Sequence, residues 1–204
     1  MLETHCKGEA ITHRVLWRIT QEQVELAQGK EAGWIYPSVV AQVFAYHTVE
    51  AYLNYVGERL EPDIWRNERN YFRNEPYRGA LGKMHKIVDL VGLPWTEEAR
   101  DERPLKTIMD LKYFRDLISH GKTEKFDEVI LHEAGEEPLR PSSELVKLSE
   151  SKEKLSVVLE DVEQYLDSIH LLAKPMLKVS DTWFGSYALK GTTGYRDFTT
   201  GPRV

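Results

Sequence analysis

Four polar side chains lie close together in the segment DLKYFRDLISHGK, residues 110–122. On a helical wheel, with about 100° per residue, they share one arc, which holds Arg115, Asp116, Ser119 and His120. Asp116 and His120 are four residues apart, so the carboxylate can accept a hydrogen bond from one imidazole nitrogen and fix its tautomer. A titratable imidazole beside a permanent guanidinium suits acid–base chemistry on an anionic phosphate. The segment therefore predicts phosphodiester chemistry.

The helix that carries these residues is expected to end at Gly121. His120 then lies among unpaired backbone carbonyls at the negative end of the helix dipole, which favours a protonated imidazole. In the first half of the helix, Leu105, Ile108 and Met109 point to the side that later becomes polar, so the apolar stripe turns around the helix. The polar residues lie just beyond an apolar patch, which predicts a site beside a second interface.

The order Arg115-Asp116-Leu117-Ile118-Ser119-His120 resembles the signature of the HEPN superfamily, in which an arginine, a polar residue and a histidine stand at the end of a bundle helix. The likeness covers roughly residues 36–176 in architecture, but only this short stretch in motif. Many HEPN members are metal-independent endoribonucleases, often toxins or antiviral factors, that act as dimers with two motifs in one cleft. Several others have lost activity and serve as binding or scaffold modules.

The resemblance implies a role for each motif residue. His120 would be the acid and base for attack of a ribose 2′-hydroxyl on the neighbouring phosphate, and Arg115 would stabilise charge on the phosphoryl oxygens. Asp116 would orient this pair, while Ser119 and Lys122 are the adjoining candidates for substrate binding. The expected product is a 2′,3′-cyclic phosphate, and the expected substrate is a flexible single strand, because in-line attack needs an unstacked linkage. Neither a metal nor a cofactor is implied.

The resemblance also implies partners. A homodimer and single-stranded RNA are expected, together with a protein antitoxin if the chain is a toxin with a role in stress or defence. The alternative is a catalytically inactive helical interaction or scaffold protein. In that case Arg115 makes an ordinary ion pair with a neighbour such as Asp116, and His120 only caps a helix.

A second basic segment precedes the motif. It interleaves arginines with aromatic residues in the order Trp65, Arg66, Arg69, Tyr71, Phe72 and Arg73. Such a segment can contact phosphates while its rings stack on bases, so Arg66, Arg69 and Arg73 are candidate substrate-binding residues. Residues 59–78 contain five arginines and four acidic residues. Because the positive and negative charges of this segment nearly cancel, a salt-bridged surface over an aromatic mini-core is the favoured interpretation.

Two histidine–carboxylate pairs, each one helical turn apart, raise the alternative of a metal site. They are His47 with Glu50 in the second helix and Asp167 with His170 in the long C-terminal helix. Facing pairs of this kind can hold a divalent ion, but the usual Glu-x-x-His order of carboxylate-bridged bundles is not reproduced. A buried, hydrogen-bonded His47 is favoured. A third interpretation has His47 or Glu50 facing the motif and adjusting the proton affinity of His120.

Composition excludes several classes of protein. The chain has 204 residues, a net charge of −6 and 41% hydrophobic residues, which suits one ordinary globular domain. The single cysteine, Cys6, excludes an internal disulfide and a thiolate zinc cluster, and His5 and His13 beside it lack a fourth ligand. The acidic balance disfavours a protein that coats duplex nucleic acid. Signatures of phosphate loops, nucleophile elbows and dinucleotide sites are absent.

The apolar periodicity is helical nearly throughout and predicts an all-α, antiparallel up-and-down bundle with irregular termini. Four helices are expected at about 12–30, 37–60, 79–91 and 104–120, with a short helical turn inside the connection 61–78. No apolar run is long enough to cross a membrane and no signal-type stretch is present, so a cytoplasmic protein is expected.

One long C-terminal helix is expected to begin at Ser142 or Ser143 and to bury one apolar stripe. The stripe consists of Leu148, Leu155, Val158, Val162, Tyr165, Ile169, Leu172 and Met176. A short extended piece is expected around residues 128–132. The chain is predicted to form a single HEPN-like domain over residues 1–182, followed by a Gly/Thr-rich tail over residues 183–204.

Overall fold

The computed structural model describes residues 11–121 and 153–177, the positions 123, 125, 127, 129 and 131, and the stretches 6–8 and 198–200. These residues form a helical bundle, which confirms the predicted all-α class. Its helices are α1 (Thr12–Gln28), α2 (Ile35–Leu60), α3 (Pro62–Arg66), α4 (Glu68–Tyr71), α5 (Gly79–Val91), α6 (Glu97–Asp101), α7 (Leu105–His120) and α8 (Leu155–Leu177). Two short strands, β1 (Cys6–Gly8) and β2 (Phe198–Thr200), pair in antiparallel fashion and join the two ends of the chain.

Helix α2 is the centre of the bundle. It packs against α1, α3, α5, α7 and α8, and Ala45, Val49 and Val56 along it are fully buried. Gly57 lets α3 pack closely on α2, because a Cβ atom at this position would clash with the Trp65 ring. A helix in contact with neighbours on most sides is apolar nearly all round, which explains why its sequence shows little one-sided periodicity.

Helix α7 carries the polar motif. It ends at Gly121, whose φ of +45° is the left-handed conformation that glycine adopts without a Cβ penalty, and the Gly121 N–H donates to the Leu117 carbonyl. Its buried residues follow at steps of three: Leu105, Ile108, Leu111 and Phe114. Steps of three fall short of a full helical turn, so the stripe turns gradually around α7. Arg115 follows directly at its end.

The long helix α8 confirms the first part of the predicted stripe and corrects the last part. The buried members are Leu155, Val158, Val162, Tyr165 and Ile169. The prediction is wrong for Leu172 and Met176, which are exposed, while Ala173 and Leu177 are buried instead. A seven-residue repeat drifts relative to a straight helix, so after Ile169 burial continues at steps of four. The predicted start at Ser142 or Ser143, and Leu148, lie outside the described residues.

The connections between the long helices contain more structure than the sequence predicts. Residues 61–78 form the two short helices α3 and α4 where a single helical turn is expected, and α6 interrupts the turn before α7. Of the extended piece predicted at 128–132, only Val129 and Leu131 are described; both are exposed and outside any helix or strand. The domain boundary after residue 182 stays a prediction. No helix in the described ranges has an apolar stretch long enough to cross a membrane.

Acid is expected to destabilise the fold through His13 on α1. Its side chain is 3% exposed and lies edge-on to Tyr52 and Tyr55. Burial, assisted by the charge of Arg14, lowers the pKa of His13 from 6.5 to about 3. Between these values the unfolded chain binds a proton that the native state does not, so the free energy of unfolding falls as the pH falls. The loss is about 2 kcal/mol at pH 5.

Urea denaturation at pH 7 and pH 5 measures this loss. His13→Gln removes the titrating ring, so the part of the pH dependence of the free energy of unfolding that is due to His13 should disappear. The variant is expected to be less stable than the wild type at pH 7. An equal decline between pH 7 and pH 5 in both proteins would show that His13 is not the responsible group.

Candidate functional site

Arg115 lies at the interface between α7 and α2, with 21% of its side chain exposed. Its Nη2 donates to Glu50 Oε1 at 3.0 Å, and its Nη1 is 2.9 Å from Asp116 Oδ1. The guanidinium carbon lies over the ring of Tyr46, 4.8 Å from the ring centroid. The helical wheel places Arg115 in a polar arc, but its long side chain reaches across the interface, where an aromatic face and a carboxylate bind it.

Asp116 is held by two cations. Its Oδ2 accepts a hydrogen bond from Lys112 Nζ at 2.6 Å, and its Oδ1 pairs with Arg115. Partial burial acts to raise the pKa of Asp116, but the Lys112 hydrogen bond and the charges of Lys112, Arg115 and His120 lower it overall. In the described part of the chain, Asp116 therefore contacts Lys112 and Arg115. The predicted hydrogen bond to the His120 imidazole is not formed, and only an electrostatic interaction links the two.

Ser119 and His120 are exposed in the last turn of α7. The predicted polar quartet is thus divided, with Arg115 half-buried against α2, Asp116 half-buried beside it, and the other two residues in contact with solvent. His120 precedes the left-handed Gly121, as the sequence predicts. Lys122 lies outside the described residues.

Glu50 on α2 extends the cluster across the interface. Its Oε2 is 3.3 Å from His47 Nδ1, while its Oε1 accepts from Arg115, so one carboxylate bridges an imidazole and the guanidinium. This contact agrees with the interpretation that Glu50 faces the motif. His47 is half-buried rather than buried, and its ring lies edge-on to Phe44 at a centroid distance of 6.4 Å.

Two members of this cluster, Lys112 and Tyr46, are not among the residues predicted from the sequence. Lys112 stands four residues before Asp116, a spacing that already predicts the ion pair that competes with His120 for the carboxylate. Tyr46 stands four residues before Glu50, which places an aromatic face and a carboxylate on one side of α2. A tyrosine and a glutamate at this spacing are common in buried helices. The pair indicates a binding site only once Arg115 is known to lie opposite it.

In the residues that the structure describes, the two histidine–carboxylate pairs have other partners. His170 Nδ1 is 2.8 Å from the Tyr52 hydroxyl, and Glu50, two residues before Tyr52 on α2, binds Arg115. Within the residues that the structure describes, no group of three or more histidine, cysteine, aspartate or glutamate side chains is arranged to hold a metal ion. His5 lies outside these residues.

The second basic segment lies apart from the motif. Helix α3 packs on α2, and α4 packs on α3, whereas α7 contacts α2, α6 and α8. Trp65 and Phe72 are buried with ring centroids 5.3 Å apart, and exposed Arg66 pairs with Asp63 at 3.1 Å. This is the aromatic mini-core under a polar surface that the sequence favours. Arg69 and Arg73 are exposed on the same surface, and the structure does not bring the three arginines to Arg115.

No family model, curated protein or solved structure matches this chain. The HEPN resemblance therefore stays a prediction from the six motif positions.

The charges of the cluster cancel when no ligand is bound. Glu50 and Asp116 together offset Arg115 and Lys112, and each carboxylate is within 3.0 Å of a cationic nitrogen. An anion that binds both Nη1 and Nη2 would therefore compete with one of these carboxylates. Glu50 is the more exchangeable of the two, because it comes from a separate helix, whereas Asp116 adjoins Arg115 in the chain and has Lys112 as a second partner.

Proposed function

We propose that the face formed by α2 and α7 binds single-stranded RNA and cleaves its phosphodiester backbone without a metal ion. The observation that carries this proposal is the half-buried Arg115 five residues before an exposed histidine at the free end of α7. A guanidinium fixed in an interface can bind a phosphate bidentately with little loss of side-chain entropy. An exposed imidazole nearby can exchange protons with a ribose hydroxyl.

The reaction transfers two protons and exchanges one bond at phosphorus. An imidazole takes the proton of the ribose 2′-hydroxyl, whose oxygen attacks the adjacent phosphorus. The bond from phosphorus to the 5′-oxygen then breaks, and that oxygen receives a proton from a second imidazole. Arg115 stabilises the charge that develops on the non-bridging oxygens. The products are a 2′,3′-cyclic phosphate and a free 5′-hydroxyl, with His120 of each of two subunits supplying one proton-transfer group.

The test is the incubation of purified protein with end-labelled single-stranded RNA in excess EDTA. Products that end in 2′,3′-cyclic phosphate and 5′-hydroxyl are expected, with little cleavage of the matching duplex, because a stacked helix prevents in-line attack. Full inhibition by EDTA, or products with a 5′-phosphate, would show a different chemistry.

Dimerisation is expected through the exposed apolar side chains on both helices of this face. Tyr36 and Val40 of α2 and Tyr113 of α7 are exposed although apolar, and burying them against a second copy would remove this surface from water. Light scattering should show a dimer at micromolar concentration and a monomer for Tyr113→Glu, which should also lose cleavage. Leu171→Glu, at an exposed apolar position on α8, is the matched control. A dimer that persists in Tyr113→Glu contradicts this arrangement.

A catalytically silent interaction module is the second candidate. The contact of Arg115 with Glu50 favours it, because this pair ties α7 to α2 in the way that a purely structural ion pair would. On this alternative the RNA incubation gives no cleavage. A role in stress or defence, with a protein antitoxin as partner, goes with the first candidate.

A further inference from the structure

A cavity of about 540 Å³ is lined by residues of α2, α7 and the start of α8. Pockets that hold small molecules in proteins have volumes of about 300–1,000 Å³. The described residues that line the cavity do not include any member of the Arg115 cluster. Because α2, α7 and α8 pack against one another, the walls of the cavity are already formed without a ligand.

Most of the wall surface is apolar. Leu111 and Phe114 of α7 and Val158 of α8 line the cavity and are buried, and Val157 beside them is 37% exposed. Aliphatic side chains and a benzene ring can pack against a planar aromatic ligand. Such a ligand would also remove part of Val157 from water.

Gln42 of α2 is a buried polar side chain in this apolar wall, with only 2% of its surface exposed. Its Nε2 donates to the carbonyl oxygen of Ser38 at 3.4 Å and to the Ser38 hydroxyl at 3.3 Å. The Ser38 carbonyl fixes the orientation of the amide, because only the nitrogen can donate to it. Within the described residues, the Gln42 Oε1 accepts no hydrogen bond. Buried amide oxygens nearly always have a donor, so this atom is available to an N–H of a ligand.

The polar residue Thr107 does not offer the same contact, because its hydroxyl donates to Asp161. The charged residues that line the cavity are Lys106, Asp110 and Lys154, and all three are exposed. Lys106 Nζ is 3.0 and 2.8 Å from the two carboxylate oxygens of Asp110, so the charges of this pair cancel. Lys154 leaves one net positive charge at the solvent-facing edge, which favours a ligand with one negative charge there.

We propose that this cavity binds a planar aromatic acid that carries a ring N–H. The ring packs against Leu111, Phe114 and Val158, and its N–H donates to Gln42 Oε1. The carboxylate of the ligand stays at the solvent-facing edge, beside the lysines. This inference does not depend on RNA cleavage, because none of its contacts involves Arg115 or His120.

Calorimetric titration of the full chain with three probes tests the chemistry of the ligand. Indole-3-acetate has the ring, the N–H and the charge, and its dissociation constant should be on the order of 100 µM. The acid 1-naphthylacetate keeps the two rings and the charge but has no N–H, so it should bind about fivefold more weakly. Indole-3-acetamide keeps the ring N–H but has no charge, so it should bind about threefold more weakly.

Gln42→Met keeps the length of the side chain but removes the acceptor. In this variant the two acids should bind with equal affinity, because no amide oxygen is left unpaired by 1-naphthylacetate. In the NMR spectrum of the wild type, the Gln42 side-chain amide signal is assigned from its loss in Gln42→Met. It should shift more on addition of indole-3-acetate than on addition of 1-naphthylacetate.

Val157→Trp tests the location of the site without a change in the core, because Val157 is exposed. The larger side chain fills part of the cavity and should weaken the binding of indole-3-acetate at least about tenfold. Leu171→Trp, at an exposed position of α8 that does not line the cavity, is the matched control and should bind as the wild type does. The inference is overturned if the wild type does not bind indole-3-acetate or binds both acids equally. Unchanged binding by Val157→Trp overturns it as well.

Discussion

On the proposed mechanism, RNA cleavage should fall by about a thousandfold when His120 is replaced with alanine, since a positioned general acid or base contributes about 10²–10⁴-fold and His120 would serve in both roles. The variant should keep its helical circular dichroism, because His120 is exposed and follows the last buried residues of α7. The quantity to measure is the single-turnover rate on end-labelled RNA in EDTA. His85→Gln, at a half-buried histidine on α5, is the matched control.

Arg115→Ala tests the second half of the same site. Loss of a group that stabilises phosphoryl charge costs about 10²–10³-fold in rate. Arg115→Lys keeps the charge but loses the bidentate geometry and the planar contact with Tyr46, so its rate should lie between those of the wild type and Arg115→Ala. Arg18→Ala removes an exposed, paired arginine from α1 and should leave the rate unchanged. Cleavage that is unaltered in both His120→Ala and Arg115→Ala would belong to a contaminating nuclease.

The ends of the helices are the part of the fold that the sequence predicts best. Helix α5 spans the expected residues 79–91, and both α5 and α7 end before a glycine in the left-handed conformation, at Gly92 and Gly121. These signals are local, because glycine adopts a positive φ without a steric penalty wherever it stands in the chain. Periodicity likewise predicts the buried stripe of α8 over its first four turns, until the drift of the repeat moves burial to Ala173 and Leu177.

The inward orientation of Arg115 could not be predicted from its own helix. A helical wheel sorts residues by polarity, and it assigns an arginine to the solvent side unless the neighbouring helix is known. The residues that bind the guanidinium, Tyr46 and Glu50, are more than 60 positions away in the chain. The competition of Lys112 for Asp116, by contrast, is visible in the spacing. The motif thus predicts which residues form the candidate site, while the contacts between α7 and α2 determine how their side chains are oriented.

Replacement of Asp161 by alanine is expected to destabilise the protein by about 3 kcal/mol, more than any exposed ion pair of the bundle. This carboxylate on α8 is 1% exposed and accepts hydrogen bonds at 2.8 Å from both Nε and Nη2 of Arg103, and a further one from the Thr107 hydroxyl. It therefore joins Thr107 in the first turn of α7, and Arg103 two residues before that helix, to α8. Solvent screens the half-exposed Arg103, so the burial of Asp161 determines the size of the loss.

Urea denaturation of Asp161→Ala beside Asp110→Ala measures this effect. Asp110 accepts from Lys106 on the exposed side of α7, and the loss of such a pair costs at most about 1 kcal/mol. Equal destabilisation in the two variants would mean that Asp161 does not bind Arg103 and Thr107 as described. If the expected difference is found, RNA cleavage by Asp161→Ala should also fall at a temperature where the variant is folded. We expect this because the contacts of Asp161 hold the start of α7, and the position of α7 along α2 determines whether Arg115 reaches Glu50.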